Sequence, residues 1–122
     1  MTLARRAPFL VVVALAAAGC GSSGEDETVR QTVDRFEAAL MAGQTTEACG
    51  LLTAEAVKGV DCAALNLPRG TVWDIQVWGD AARARAGDDT VFLREKALGW
   101  RISGAGCTPN GERPYECEVG GP

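Results

Sequence analysis

An α+β domain, with amino-terminal helices packed on a four-stranded antiparallel meander, is what this sequence predicts, and three observations carry the prediction. Val29, Val33, Phe36 and Leu40 fall at spacings of four, three and four, which places them on one face of a helix. From Trp73 to Ile102, apolar and polar residues alternate in short segments broken at Gly79-Asp80, Gly87-Asp88 and Leu98-Gly99, as in strands joined by tight turns. Pairing the first two segments across Gly79-Asp80 also gives two chemically sensible faces in a single register.

The chain opens with Arg5 and Arg6, an apolar run from Phe9 to Ala18, and Gly19-Cys20. A basic flank, a short greasy segment and small residues before a boundary read as an export signal over residues 1–19. The run from Ala7 to Ala18 contains Pro8 and falls short of the ~20 apolar residues that a spanning helix needs. Ala17-Ala18-Gly19-Cys20 resembles the lipobox of bacterial lipoproteins, with Ala17 where a branched aliphatic is usual. That resemblance implies a diacylglycerol (palmitate-type) modification on the Cys20 thiol, cleavage in front of it, and residence at the extracytoplasmic face of the cell membrane. Two or three acyl chains at ~0.8 kcal/mol per buried methylene give stable anchoring where one chain binds only marginally. The alternative, a secreted product cut after Ala16 or Ala18, leaves Cys20 as a stray thiol.

Removing Arg5 and Arg6 with the signal leaves ten basic residues against sixteen acidic ones. A surface with that balance repels phosphate backbones and anionic lipid heads, which argues against nucleic acid as a partner. Of the five cysteines, Cys20 accounts for the odd one. Cys49, Cys62, Cys107 and Cys117 then form an even set, and an exported chain uses such a set as disulfides. Three pairings exist, and the expected one joins Cys49 to Cys62 and Cys107 to Cys117, each within one structural block. Each loop closure contributes about 3 kcal/mol in the chain-entropy model. A zinc site made from the four thiolates is disfavoured by the absence of CxxC spacing and of histidine.

Taken in order, residues 20–24 form the lipidated cysteine and a flexible Gly-Ser tether, and residues 25–122 a single domain. Ser23 and Asp26 have capping-box spacing, and Glu25, Asp26 and Glu27 place negative charge at the positive end of the first helix. That helix runs from Glu25 to Met41, with Arg30, Asp34, Arg35 and Glu37 on or beside its solvated side, and stops at Gly43. Thr45 and Thr46 cap a second short helix carrying Cys49, Leu51 and Leu52. Thr53 caps a third that ends near Gly59, and Cys62 lies on another turn. Leu67-Pro68-Arg69-Gly70 marks the change from helices to strands.

In the meander, a two-residue loop at Gly79-Asp80 pairs Trp78 with Ala81, Gln76 with Arg83, Ile75 with Ala84, Asp74 with Arg85 and Trp73 with Ala86. One face then sets Trp73, Ile75 and Val77 against Ala82, Ala84 and Ala86, and the other sets Asp74 and Gln76 against arginines. The next strand brings Val91 and Leu93 beside Ala84 and Ala82, with Phe92 outside against Arg83. The fourth turns Trp100 and Ile102 inward and ends at Gly104-Ala105-Gly106. From Cys107 to Cys117 the chain reads as a loop with an Asn110-Gly111 turn, closed by its disulfide.

The lipobox, the segment VRQTVDRFEAALMAGQ, the short helix with ACGLL, and the closing GWRISGAGC and PYEC resemble the small lipoproteins of high-GC Gram-positive bacteria. The helix followed by GWRI in the last strand is similar to the nuclear transport factor 2-like superfamily. That resemblance implies a curved sheet wrapped with helices into a cone. The superfamily includes enzymes: scytalone dehydratases use a histidine with carboxylates, and ketosteroid isomerases an aspartate and a tyrosine. This chain has no histidine, and its one tyrosine, Tyr115, lies in the tail, so neither catalytic set carries over.

Trp73, Ile75, Glu95 and Trp100 are the residues that would line a pocket in such a cone. Glu95 is the best inward carboxylate on the meander, and Asp34 sits beside the apolar helical stripe. The bland readings are a core packed with tryptophans and carboxylates reaching solvent. Trp78, on the outer face, is a candidate partner contact. No catalytic motif and no cofactor motif is present. The expected function is that of a non-catalytic, lipid-anchored module that binds a small apolar ligand or an envelope protein. A small enzyme using Glu95 or Asp34 as general base is the alternative. A filled inner face leaves only the interaction role.

Overall fold

The computed structural model describes residues 22–122. The export signal, Cys20 and the start of the tether lie outside the described residues. Helix α1 spans Ser22–Met41, so Ser22 to Gly24, expected in the tether, begin the helix. Its apolar stripe is complete: Val29, Val33 and Phe36 are fully buried and Leu40 nearly so. Gly43 takes a φ of 71° and turns the chain out of the helix, its N–H donating to the Leu40 carbonyl.

Two short helices follow, α2 (Thr45–Cys49) and α3 (Ala54–Val57), then a 3₁₀ turn at Cys62–Ala64. Gln44, not a threonine, precedes α2, and it makes no side-chain cap there. The helix starts one residue early because the Gln44 N–H still donates to the Ala39 carbonyl at the end of α1. Thr53 caps α3 as expected, its hydroxyl accepting from the Ala56 N–H at 3.0 Å. Cys49 is joined to Cys62, which ties α2 to the 3₁₀ turn. Between α2 and α3, Leu51 and Thr53 exchange backbone hydrogen bonds with Ile102, so this segment lies along the sheet as a partial strand.

The sheet has five strands rather than four: β1 (Val72–Trp78), β2 (Ala81–Ala86), β3 (Asp89–Lys96), β4 (Gly99–Asn110) and β5 (Arg113–Gly120). They pair in chain order, all antiparallel, into an open sheet. The extra strand comes from the segment expected to be a loop. β4 does not stop at Gly104-Ala105-Gly106 but continues to Asn110, turns through Gly111-Glu112, and returns as β5. Pro109 is tolerated where the β4–β5 register shifts, and Pro114 because β5 is an edge strand. Cys107 stands opposite Cys117, and their disulfide crosses the hairpin.

The register expected for the first three strands is observed from Asp74↔Arg85 to Trp78↔Ala81, and again in Ala82↔Leu93, Arg83↔Phe92 and Ala84↔Val91. It breaks at Trp73. A bulge there puts Val72 opposite Ala86, where Trp73 was expected, and Val72 is buried in its place.

The inner face of the sheet carries Ala82, Ala84, Ala86, Val91, Leu93, Trp100 and Ile102, all buried against the stripe of α1. The alanines leave room for the helix, and Phe36 is the largest side chain sealed completely in the shared core. Truncating Phe36 to alanine should therefore cost about 3–5 kcal/mol in urea unfolding. Trp78→Ala, on the opposite face, should cost less than about 1 kcal/mol. The reverse order would contradict this layering.

Candidate functional site

The four residues expected to line a pocket are not gathered into one. Trp100 is buried in the core, and Ile75 is half-buried against it. Trp73 is 60% exposed, because the bulge ejects it from the inward alternation. Glu95 is exposed at the end of β3, where its backbone N–H donates to the Asp80 carbonyl at 2.7 Å. Its inward parity is not used, since the strand reaches past the edge of the helical layer there and its last three residues are exposed. Asp34 is exposed on α1. The space between helix and sheet is filled by the side chains of the stripe and of the inner strands.

What the fold does assemble is the outer face. The registered rows Gln76–Arg83–Phe92 and Asp74–Arg85–Thr90 cross β1, β2 and β3. A third row runs Trp78–Ala81–Arg94–Arg101 into β4. The Arg83 guanidinium lies 5.8 Å from the centre of the Trp78 ring, and that of Arg85 5.5 Å from the Trp73 ring. Trp73 is fixed in turn by its indole N–H, which donates to the Gly87 carbonyl at 2.8 Å. Phe92 meets Tyr115 of β5 edge to face at 5.1 Å.

Arg83 and Arg85 are thus held over the sheet rather than waving in solvent. The side chain of Arg83 keeps only 20% of its exposure, and its contact with the Asp74 carboxylate is long, at 4.0 Å. The Nε of each arginine is buried and bonds to nothing among the described residues. Beside this row, where β4 meets β5, a shallow cleft of about 440 Å³ is lined by Arg94, Lys96, Ser103, Glu55 and the Gly120-Gly121 backbone. The Ser103 hydroxyl is buried and unbonded there among the described residues.

Two buried carboxylates were not legible as such. Glu37, expected near the solvated side of α1, is 3% exposed. One of its oxygens accepts from the Gly70 N–H at 3.3 Å, and the other bonds to nothing among the described residues. Gly70 reaches it because Gly70 and Gly87 pack backbone to backbone, leaving no room for a Cβ at Gly70. Burial pushes the Glu37 carboxyl up to about 7; the Gly70 hydrogen bond opposes this, nearby Asp89 adds to it, and Arg69 opposes it. The signal in the sequence was weak: Glu37 lies four residues after Val33 and three before Leu40, so it widens the inward stripe.

Asp89, 4% exposed at the start of β3, accepts from the Gly106 and Cys107 N–H groups at 3.2 Å each. The β3–β4 register shifts between Thr90 and Phe92, and the Asp89 carboxylate takes up N–H groups of β4 at that irregularity. Burial raises its pKa, and these backbone hydrogen bonds work against the rise. Neither carboxylate lines the cleft on the outer face or the neighbouring hollow of about 430 Å³ beside Leu98. Among the described residues no group of three or more histidine, cysteine or acidic side chains is placed to hold a metal ion.

Comparison with known proteins adds no candidate: no family model matches the chain, and neither a curated protein nor a solved structure does.

Glu37 binds its proton more tightly folded than unfolded. Its contribution to stability is therefore complete below its ordinary pKa of 4.5 and is lost as pH rises through about 7. Glu37→Gln should flatten that part of the stability–pH curve, removing a fall on the order of 2 kcal/mol after allowance for solvent screening. Unfolding measured across this range checks it; an unchanged slope would contradict it. Asp89→Asn should destabilise while the carboxylate is ionised, because its amide would aim a donor at a backbone N–H, and the cost should shrink at low pH, where protonated Asp89 carries a donor of its own.

Proposed function

We propose that this chain is a lipid-anchored, extracytoplasmic, non-catalytic module that docks on another protein of the cell envelope through the outer face of its sheet. In this reading residues 1–19 are removed at export and Cys20 carries the lipid. The body is a nuclear transport factor 2-like domain whose cone is filled. Helices laid on one face of an antiparallel meander support that assignment.

The observation that carries the docking reading is the contrast between the two faces of one sheet. The inner face is a packed core, which leaves neither an apolar ligand nor a substrate a place between helix and sheet. The outer face exposes Trp73 and Trp78 beside arginines ordered by those rings. Tryptophan, tyrosine and arginine are the residues that dominate binding energy at protein interfaces, and pre-ordering reduces the entropy lost on docking. The enzyme alternative needs a base that a substrate can reach within a water-excluding site. Glu95 and Asp34 stand in solvent, and Glu37 is sealed in the interior.

Two measurements test the reading. Intact-mass analysis of the mature chain should give an acylated amino-terminal Cys20; an unmodified product beginning elsewhere would overturn the anchor. A photo-crosslinking residue at position 78 should couple to an envelope protein in intact cells, and one at position 34 on α1 should not. Coupling from position 34 alone would overturn the docking face.

A further inference from the structure

We infer that the occupant of the outer face is an acidic protein segment whose carboxylates pair with the guanidinium groups of Arg83 and Arg85; this rests on the docking reading above. Charge segregation is the first support. The chain as a whole is acidic, with sixteen Asp and Glu against twelve Lys and Arg. On the outer strand rows, however, Arg83, Arg85, Arg94 and Arg101 face a single carboxylate, that of Asp74. Glu55 reaches only the margin, at 4.0 Å from Lys96. An acidic body with one basic face attracts an anion to that face and repels it elsewhere.

The state of the arginines is the second support. A guanidinium presents a rigid fork that matches a carboxylate bidentately, and holding the fork in place lowers the entropy cost of pairing. Arg83 and Arg85 are held by aromatic rings, and among the described residues each has a buried Nε without an acceptor and the carboxylate nearest Arg83 is 4.0 Å away. Incoming carboxylates would pair with the Nη ends of these forks, the Nε of each being covered. The two arginines sit two residues apart on β2 and so point to the same side, as do alternate side chains of an extended partner.

Two other occupants fit less well. A second copy meeting this face with its own would set arginines against arginines. An anionic bilayer draws tryptophans down into its interfacial region, yet the Trp73 indole is tied back to Gly87.

The test uses the full-length chain in neutral detergent and two fluorescent peptides, one alternating glutamate with valine and one alternating lysine with valine. Fluorescence anisotropy should show binding of the glutamate peptide alone, weakening as salt is raised. Arg83→Gln with Arg85→Gln should weaken it by about tenfold or more, and Arg83→Lys with Arg85→Lys, which keeps the charge but not the fork, by less. Unchanged far-ultraviolet circular dichroism separates lost binding from lost folding, and Trp78→Ala, which frees Arg83 while keeping every charge, gives an independent weakening. Equal binding of both peptides, or of neither, would overturn the inference. So would arginine-dependent binding to phosphatidylglycerol-containing vesicles but not to phosphatidylcholine vesicles in the absence of peptide binding, or self-association through this face. If position 78 crosslinks to a segment without aspartate or glutamate, the docking face stands and its acidic occupant falls.

Discussion

The burial of one helical stripe against the inner face of the sheet is the contact on which the rest of this molecule depends. Val29, Val33 and Phe36 are sealed completely, and β2 contributes Ala82, Ala84 and Ala86 to the same core. Small side chains there allow close approach, and large ones on β3 and β4, Leu93, Ile102 and Trp100, close the space around them. Bulky residues holding helix and sheet apart would leave a cavity; here the helical stripe and the inner strands share one core. The disulfide between Cys49 and Cys62 ties α2 to the 3₁₀ turn, and the one between Cys107 and Cys117 staples β5 to β4 across the last hairpin.

Filling the interior moves the chemistry outward. With α1 on one side of β1 and β2, their remaining residues face away from the core, where aspartate, glutamine, arginine and tryptophan meet in rows. The bulge at Val72 and Asp74 strengthens this division, because it lets Val72 close the core and sends Trp73 to the arginine side. A single backbone irregularity therefore serves both layers. The buried carboxylates belong to the scaffold: Asp89 takes up N–H groups where the β3–β4 ladder slips, and Glu37 meets the Gly70 N–H at the junction of the helical half and the sheet.

Much of the architecture was legible because period-two alternation and turn chemistry fix a register by arithmetic. Ile75 against Ala84 follows from the position of Gly79-Asp80, and Arg83 against Phe92 from that of Gly87-Asp88. The bulge was not legible, since Val72 and Trp73 suit an inward position equally well and only packing against α1 chooses between them. The fifth strand was hidden by composition: Pro109, Asn110, Gly111 and Pro114 argue for a loop, while the pairing that makes them strands depends on contacts with the body of the sheet. Glu37 was misplaced for a similar reason. Its helical position is intermediate, and its partner, the Gly70 N–H, comes from a segment that only tertiary packing against Gly87 brings there. Of the expected pocket, Trp100 lies where the alternation put it, yet as filling rather than as a wall.

Acrylamide quenching of three variants that each keep one tryptophan, with phenylalanine at the other two positions, tests the separation of the two faces most directly. A filled interior with an aromatic outer face predicts that Trp100 is protected while Trp73 and Trp78 are quenched far more strongly than Trp100. Strong quenching of Trp100 would mean an open interior, and protection of Trp73 would return it to the inner face; either result contradicts the account.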